Sequence, residues 1–387
     1  MSILLLTQTF PPAKGGSGRW LWELYRRLRE SDVAVVAGRS DGFGKDAEFD
    51  RTSNLATTRI HLAFRSWGVT HVRSAIEYAT AFAALNSIVS RVRPQAVHCG
   101  KCLPEGLLAL AIKKWKRIPF WCFVHGEELT LAQTSRELHR LSRLVLHQAE
   151  RVVANSDHSK RILLERWGVP ADRVVVMHPG VDVATFRPAP RDEQVRARLG
   201  WTGRRVVLTV GALQKRKGQD MLIRALPAIR ARCPDVLYAI VGEGWEREYL
   251  DSLVAEHDVA DFVQFRPTPG DEELIACYQQ CDLFALPNRQ VGWDFEGFGI
   301  VLLEAQACGK PVVAGRSGGT SETMKPSCTG ELVPCETPEP LADAVVRLLD
   351  APDVRSRMGA CAREWAVERF DWPMLVAQAS GMFGGRA

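Results

Sequence analysis

Three clusters in this sequence have the residue types and spacing to do chemistry. The first is Glu296-Gly-Phe-Gly-Ile-Val-Leu-Leu-Glu304, two carboxylates with glycines between them and an apolar run after. Gly297 and Gly299 leave bare backbone where a helix begins, so free N–H groups and the positive end of a helix dipole meet there. That is a way to hold phosphate. Helical side chains lean toward the N-terminus, so Glu304 reaches back over the turn, and a carboxylate accepts from hydroxyls. The second cluster is Lys215-Arg216-Lys217-Gly218, which follows the strand-like Val206–Val210 and suits a diphosphate; its competing reading is a solvated charge run. The third is His125-Gly126-Glu127-Glu128, after the apolar run FWCFV. A histidine at the carboxyl end of a strand is well placed to touch a ligand, although taken alone it is equally a structural histidine. A sugar nucleotide offers both the phosphates and the hydroxyls that these groups would bind.

Other chemistries lack a piece. The dinucleotide fingerprint fails at Gly16-Ser-Gly18 and at Gly242-Glu-Gly244, since neither has its third glycine. Gly315-Arg-Ser317-Gly-Gly319 imitates a hydrolase elbow, but the last histidine is His257, and a hydrolase needs one after the serine. Cys99, Cys102, Cys122 and His125 have zinc-ligand spacing, yet buried thiols in strands are the commoner explanation. No Asp-x-Asp pair is present to hold a metal on a diphosphate, and no nucleic-acid motif appears.

The elements that must position these residues alternate in type. Apolar strand-like runs at Ile3–Thr7, Val33–Ala37, Ile60–Phe64, Ala96–Cys99, Phe120–Val124, Arg151–Ala154 and Val174–Met177 are mostly separated by helical periodicity. The helical runs are Ser17–Arg29, Val72–Val92, Pro104–Trp115, Leu129–Gln148 and Ser159–Trp167. The charged, proline-bearing stretch 186–203 reads as a linker, and a second alternation then begins at Val206. This predicts two doubly wound α/β domains of parallel sheet covered on both faces, with a ligand cleft between them. The expected division is 1–185 with the terminal segment 371–387, and 186–370.

The chain has 387 residues, 46% hydrophobic and 25% charged, which suits two domains. Its net charge of +5 is uneven: residues 1–185 carry +9 and the remainder −4. A basic first half suits an anionic membrane face or an acidic acceptor. Trp115 among Lys113, Lys114, Lys116 and Arg117 is a basic aromatic patch of that kind. No apolar run approaches a membrane span, and MSILLLTQTF reads as a first strand, not a signal peptide. The ten cysteines are therefore expected to be reduced thiols in a cytosolic protein.

Taken together, the motifs resemble glycosyltransferase family 4. The resemblance rests on Glu296…Glu304, Gly309-Lys-Pro-Val-Val-Ala314, Gly318-Gly-Thr-Ser-Glu322 and the Pro11-Pro12…Gly15-Gly16 loop. His125-Gly126, Asn155-Ser156…Lys160, Pro179-Gly-Val-Asp182, Arg216-Lys-Gly218, Gly242-Glu-Gly244-Trp-Glu-Arg247 and Phe370-Asp-Trp372 extend it along nearly the whole chain. It implies a GT-B fold, a C-terminal helix that crosses back to the first domain, and retaining, metal-independent transfer of a hexose from a nucleotide sugar to a glycan or lipid-linked acceptor. No cofactor or nucleic acid is implied. Carried over by position, Gly16 lies near phosphate and acceptor, His125 contacts the transferred sugar, and Lys217, with Arg216, holds the diphosphate. Glu296 sits by the sugar, Phe298, Gly299 and Ile300 lend backbone N–H groups, and Glu304 binds the ribose. The family usually has an arginine where this chain has Ala212, and Lys215 and Arg216, three and four residues on, are the candidates to replace it. The same change keeps a non-catalytic sugar-nucleotide-binding subunit as the alternative. The loop Asn288–Phe295 and the core GIV-x-LEA look like the GDP-mannose-dependent phosphatidylinositol mannosyltransferases, although UDP-sugars are also common donors in the family. With the expected reduced thiols and the basic aromatic patch, the expectation is a cytoplasmic enzyme, peripheral at the inner face of the cell membrane.

Overall fold

The structure is a computed structural model that describes residues 2–28, 32–40 and 44–384. The chain divides into two compact units, Met1–Pro179 with Trp372–Ala387, and Gly180–Asp371.

The first unit alternates β1 (Ser2–Thr7), α1 (Gly16–Tyr25), β2 (Asp32–Gly38), α2 (Lys45–Thr52), β3 (Ala56–Ile60), α3 (Val72–Val92) and β4 (Ala96–Cys99). A π-turn at Cys102–Gly106 leads into α4 (Leu107–Lys116), then β5 (Phe120–Val124), α5 (Glu127–Ala132), α6 (Arg136–Gln148), β6 (Arg151–Ala154), α7 (Asp157–Glu165) and β7 (Val174–Val176). The sheet is parallel in the order β3-β2-β1-β4-β5-β6-β7. Its central strands β1, β4 and β5 are apolar and buried because helices cover both faces, whereas the edge strand β3 is polar. Right-handed crossovers put α3, α4, α6 and α7 on one face and α1 and α2 on the other. The strand order reverses between β1 and β4, which is where such sheets open a ligand crevice.

The second unit begins with α8 (Glu193–Arg198), β8 (Arg205–Val210), α9 (Gln219–Arg232), β9 (Val236–Val241), α10 (Arg247–Glu256), β10 (Val263–Arg266) and α11 (Asp271–Gln280). It continues with β11 (Leu283–Leu286), α12 (Ile300–Ala307), β12 (Val312–Gly315), β13 (Gly330–Val333), α13 (Glu339–Leu349) and α14 (Pro352–Phe370). Its parallel sheet runs β10-β9-β8-β11-β12-β13, so the order reverses between β8 and β11. One core layer joins Leu222, Leu226, Leu341 and Val345 to one face of the sheet. The other joins Tyr278, Leu302, Leu303 and Phe370 to the opposite face. The last helix, α15 (Trp372–Gly384), belongs to the first unit, where Phe383 stacks on Tyr25 at 6.1 Å and meets the ring of His98 at 4.7 Å.

Several expectations need correction. The division falls after Pro179 instead of 185, because 180–186 is tied to the second unit. Val181 donates to the Phe370 carbonyl, and Arg363 donates to the carbonyls of Val183 and Phe186. The stretch 186–203 is no linker: Arg196 and Trp201 are fully buried. Asp192 caps α8 by accepting from the N–H groups of Gln194 and Val195, and the Arg196 guanidinium donates to the carbonyls of Gln280, Trp201 and Arg204. A charge so satisfied sits in a core that composition reads as solvent-facing. The third strand is Ala56–Ile60, not Ile60–Phe64; Leu62 and Phe64 are buried from a loop. The single helix expected over Leu129–Gln148 is two, and the Ser135 side chain caps the second by accepting from the Leu138 N–H. α1 ends at Tyr25, and Arg29 of the expected longer helix lies outside the described residues. The cysteines are not all reduced: Cys328 and Cys361 form a disulfide, while the remaining eight are buried thiols.

Candidate active site

In the second unit the loops after β8, β11 and β12 all leave the carboxyl edge of the sheet at its switch point. Lys215–Lys217 form a single 3-10 turn. Gly218 then turns with φ +76°, and a Cβ there would lie 1.8 Å from the Pro287 carbonyl oxygen, so only glycine lets the two loops approach. They are bolted together further along: the Arg289 N–H donates to the Arg216 carbonyl at 2.9 Å. The Arg289 guanidinium also makes a two-pronged bond to Asp220 at 2.8 and 2.6 Å.

This framework aims two cations at one carboxylate oxygen. Arg216 Nη1 and Lys217 Nζ donate to Glu296 Oε2 at 2.9 and 2.5 Å. Arg216 Nε lies 3.3 Å from Asp294. All three side chains of the Arg216–Lys217–Glu296 cluster are largely buried. Burial pushes the Glu296 carboxyl up, but Lys217 and Arg216 outweigh it and hold the group below the usual carboxylate range. It is therefore ionised at neutral pH. Lys215 points elsewhere, with its ammonium over the Tyr249 ring at 5.7 Å. Of the two candidates to replace the arginine missing at Ala212, Arg216 is thus the one directed at Glu296.

The third loop closes the far side. The Gly319 N–H donates to the Glu296 carbonyl at 3.0 Å. Fully buried Asn288 accepts from the Gly315 N–H and donates to Thr320 and the Ser317 carbonyl. Phe298 is buried against Phe370 at 5.9 Å. Gly299, at φ +98°, is the N-cap of α12, and a helix start leaves its first N–H groups, here from Ile300 onward, without intrahelical partners. Glu304 follows one turn in. Its Oε2 accepts from the Tyr278 hydroxyl at 2.6 Å, which fixes the carboxylate in a 7% exposed position. Sequence reasoning missed Tyr278, Asn288, Asp294 and the Arg289–Asp220 pair. Nothing in their spacing marks them, since each acts on a residue brought near by the fold.

In the first unit His125 sits at the carboxyl end of β5, only half-buried. Its Nε2 is 2.7 Å from the Gly100 carbonyl, which can only accept, so Nε2 carries the proton. Burial first, and then the nearby Lys101, push the ring down to about 3, so it is neutral at physiological pH and Nδ1 is an acceptor. The backbone is held equally well: the His125 N–H donates to Glu128 at 2.6 Å, and its carbonyl accepts from Asn155 at 2.9 Å. Asn155 is in turn fixed by Ser159 and Ser156, which explains the Asn155-Ser156 motif. Trp20 of α1 stands edge-on to the imidazole at 5.3 Å, so the helix that begins at Gly16 borders the same crevice. Glu105 is fully buried in the π-turn and takes the Gln8 N–H at 2.8 Å. Burial pushes both Glu105 and Glu128 up to about 7. The zinc spacing yields no site. Cys122 donates to Cys102, Cys99 donates to the Trp121 carbonyl, and the four expected ligands do not gather around a common point.

Comparisons with known proteins agree with this geometry. Residues 14–185 match the family described as Glycosyltransferase Family 4, and residues 191–365 match Glycosyl transferases group 1. Among solved structures, HepE of Anabaena in complex with UDP and glucose superposes with a TM-score of 0.83 at 22% identity, covering 99% of each chain. Sucrose-phosphate synthase of Thermosynechococcus elongatus superposes at 0.80 with 22% identity, over 99% of this chain and 98% of that one. The two doubly wound units are those of a GT-B glycosyltransferase. In sequence, a GDP-mannose-dependent alpha-(1-6)-phosphatidylinositol monomannoside mannosyltransferase of Mycolicibacterium smegmatis is 33% identical over 394 residues, 99% of this chain and 98% of its own. A GDP-mannose-dependent monoacylated alpha-(1-6)-phosphatidylinositol monomannoside mannosyltransferase of Corynebacterium glutamicum is 30% identical, over 96% of this chain and 95% of its own. The chain belongs to glycosyltransferase family 4 and is a nucleotide-sugar glycosyltransferase.

Proposed function

We propose that the chain moves mannose from GDP-mannose to a phosphatidylinositol-type lipid acceptor, with retention at the anomeric carbon and without a metal. The donor and acceptor are those named for relatives that match nearly end to end. The observation that carries the reading is the convergence of Arg216 and Lys217 on Glu296 at a sheet switch point. In this reading the diphosphate arrives between the cations and the start of α12. Arg216 and Lys217 then share their hydrogen bonds between Glu296 and phosphate. As the anomeric bond breaks, charge builds on the leaving phosphate, and fixed cations and helix N–H groups stabilise it without reorganising. Glu304, oriented by Tyr278, accepts from the ribose hydroxyls. Glu296 orients the hexose. In the first unit, His125 offers Nδ1 to a sugar hydroxyl, and Gly16 lets the backbone approach phosphate or acceptor. The acceptor attacks from the face the phosphate leaves, and a phosphate oxygen takes its proton.

In this reading the enzyme works in the cytoplasm, peripheral at the inner face of the membrane. Among the described residues no helix is long and apolar enough to cross a membrane. Trp115 is 72% exposed beside exposed Lys114 and Arg117, which suits contact with lipid head groups. Lys113 drops out of that patch, since its ammonium donates to the Gln148 carbonyl at 2.7 Å.

The test is nucleotide release from GDP-mannose and UDP-sugars, with vesicles containing phosphatidylinositol or phosphatidylinositol monomannoside, in the presence and absence of EDTA. Release of GDP that survives chelation is expected. Loss of all release on chelation would sink the metal-free mechanism, and a preference for UDP-sugars would move the donor assignment.

A further inference from the structure

The outer face of α3 is unusual for a helix that meets water. Val72 and Ile76 are 76% and 60% exposed, and Ala75, Ala79 and Ala83 continue the exposed apolar row along the helix, with Thr80 at its side. Water-facing helix surfaces are normally polar, and a contiguous apolar row marks a contact surface. Beside it, between α3 and α4, lies a groove of about 330 Å³ lined by Val69, Ala79, Phe82, Leu107, Leu110 and Ala111. Tyr78 also lines it, but its hydroxyl is committed to the Trp67 carbonyl at 2.8 Å, so the groove presents carbon. Its rim is built, not frayed. Glu137 of α6 accepts from the N–H groups of Val69 and Thr70 and from the Thr70 hydroxyl, which pins Val69 in place.

We propose that this groove seats a hydrocarbon chain of the lipid acceptor, with the head group toward the carboxyl ends of β1 and β4. The inference rests on the lipid-acceptor reading above and names the part of the protein that recognises the lipid. Position supports it: α3 and α4 both begin at the carboxyl edge of the sheet. Leu107, the first residue of α4, follows two residues after Glu105, which holds Gln8 at the crevice. The exposed Trp115 lies at the other end of α4, about 12 Å along its axis. Charge selects the occupant. α3, α4 and α6 carry eight lysines and arginines against two carboxylates, Glu77 and the rim residue Glu137, and the exposed charges among them, such as Arg73, Lys114 and Arg140, are basic. An apolar slot inside a basic field fits the chain of an anionic phospholipid in a bilayer.

The test uses the full chain with Ala79→Cys carrying an environment-sensitive fluorophore; the eight native free thiols are buried. Phosphatidylcholine vesicles containing phosphatidylinositol with a mid-chain doxyl quencher should shift its emission to the blue and quench it. In turnover assays Leu107→Glu should raise the KM for vesicle-borne phosphatidylinositol by about tenfold, since it places a charge in the slot. Its kcat and KM with the deacylated head group, glycerophosphoinositol, should match the unaltered protein, which also shows that the variant folds. An unquenched label would overturn the proposal. So would an equal effect of Leu107→Glu on both acceptors, or quenching that survives Leu107→Glu and vanishes with Lys114→Glu. The quenching needs no donor, so a quenched label with no nucleotide release under any condition would uphold the groove and remove the transferase reading instead.

Discussion

The two crevices solve different binding problems with the same architecture. Each lies at the carboxyl edge of a parallel sheet where the strand order reverses. The second unit fills its edge with paired ions: Arg216 and Lys217 both bond Glu296, and Arg216 also lies 3.3 Å from Asp294. The first unit's edge carries less fixed charge, with the cation Lys101 beside groups whose own ionisation burial weakens. His125 is pushed down to about 3, and Glu105 and Glu128 are pushed up to about 7, all chiefly by burial. Fixed charge suits a diphosphate, whereas neutral donors and acceptors suit hydroxyls. The contrast teaches that a switch point supplies only the crevice, and that the balance of burial against ion pairing decides which part of a substrate it holds.

The largest effect should come from breaking the charged edge. Lys217→Ala should lower nucleotide release by about a hundredfold or more, the scale of losing one preorganised donor to a developing anion. Turnover like that of the unaltered protein would show that the ion cluster is structural. Glu296→Gln sharpens the same point with opposite signs on two readouts. Release should fall by about a hundredfold, because the hexose loses its orienting carboxylate. GDP should bind more tightly, because Arg216 and Lys217 lose their internal anion.

The less charged edge is broken by pH. Glu105 has a raised pKa in the folded protein, so the folded state binds its proton more readily than the unfolded chain. Its contribution is most favourable below about pH 4.5 and is lost as pH rises toward about 7. Glu105→Gln should remove that loss and flatten the stability profile in this window by about 3 kcal/mol in denaturant unfolding. An unchanged profile would show that Glu105 is charged in the fold. His125 acts with the opposite sign, since its ring is neutral in the fold and its contribution is lost as pH falls below about 6.5. The smallest effect expected is that of Tyr278→Phe. Removing the hydroxyl that fixes Glu304 should raise the donor KM by about tenfold with little change in kcat, the worth of one hydrogen bond to a charged group.

How much of this was legible in the sequence differs between the two edges. Glu296, Gly299 and Glu304 could be read because a glycine-punctuated passage from strand to helix fixes local geometry by itself. Arg216 and Lys217 could be read as a charge cluster, but their target could not, because Glu296 lies far along the chain and only the sheet order brings them together. The first edge was harder. His125 was visible at the end of its strand, yet Gly100, Glu128 and Asn155, which settle its tautomer and pose, act through backbone contacts that leave no periodic trace. Glu105 and Arg196 were invisible for a shared reason. Both are charged residues that sequence patterns assign to solvent, and both are buried because backbone partners are supplied to them. The Cys328–Cys361 pair was missed likewise, since it joins a loop to α14 across 33 residues with no spacing motif.

The contrast between the edges is tested most directly by titrating GDP calorimetrically, in EDTA, into the unaltered protein, Lys217→Ala and His125→Ala. If the charged edge alone holds the diphosphate, Lys217→Ala should weaken GDP binding by about tenfold or more, while His125→Ala should bind it as the unaltered protein does. Equal weakening in both variants, or full affinity in Lys217→Ala, would contradict the account.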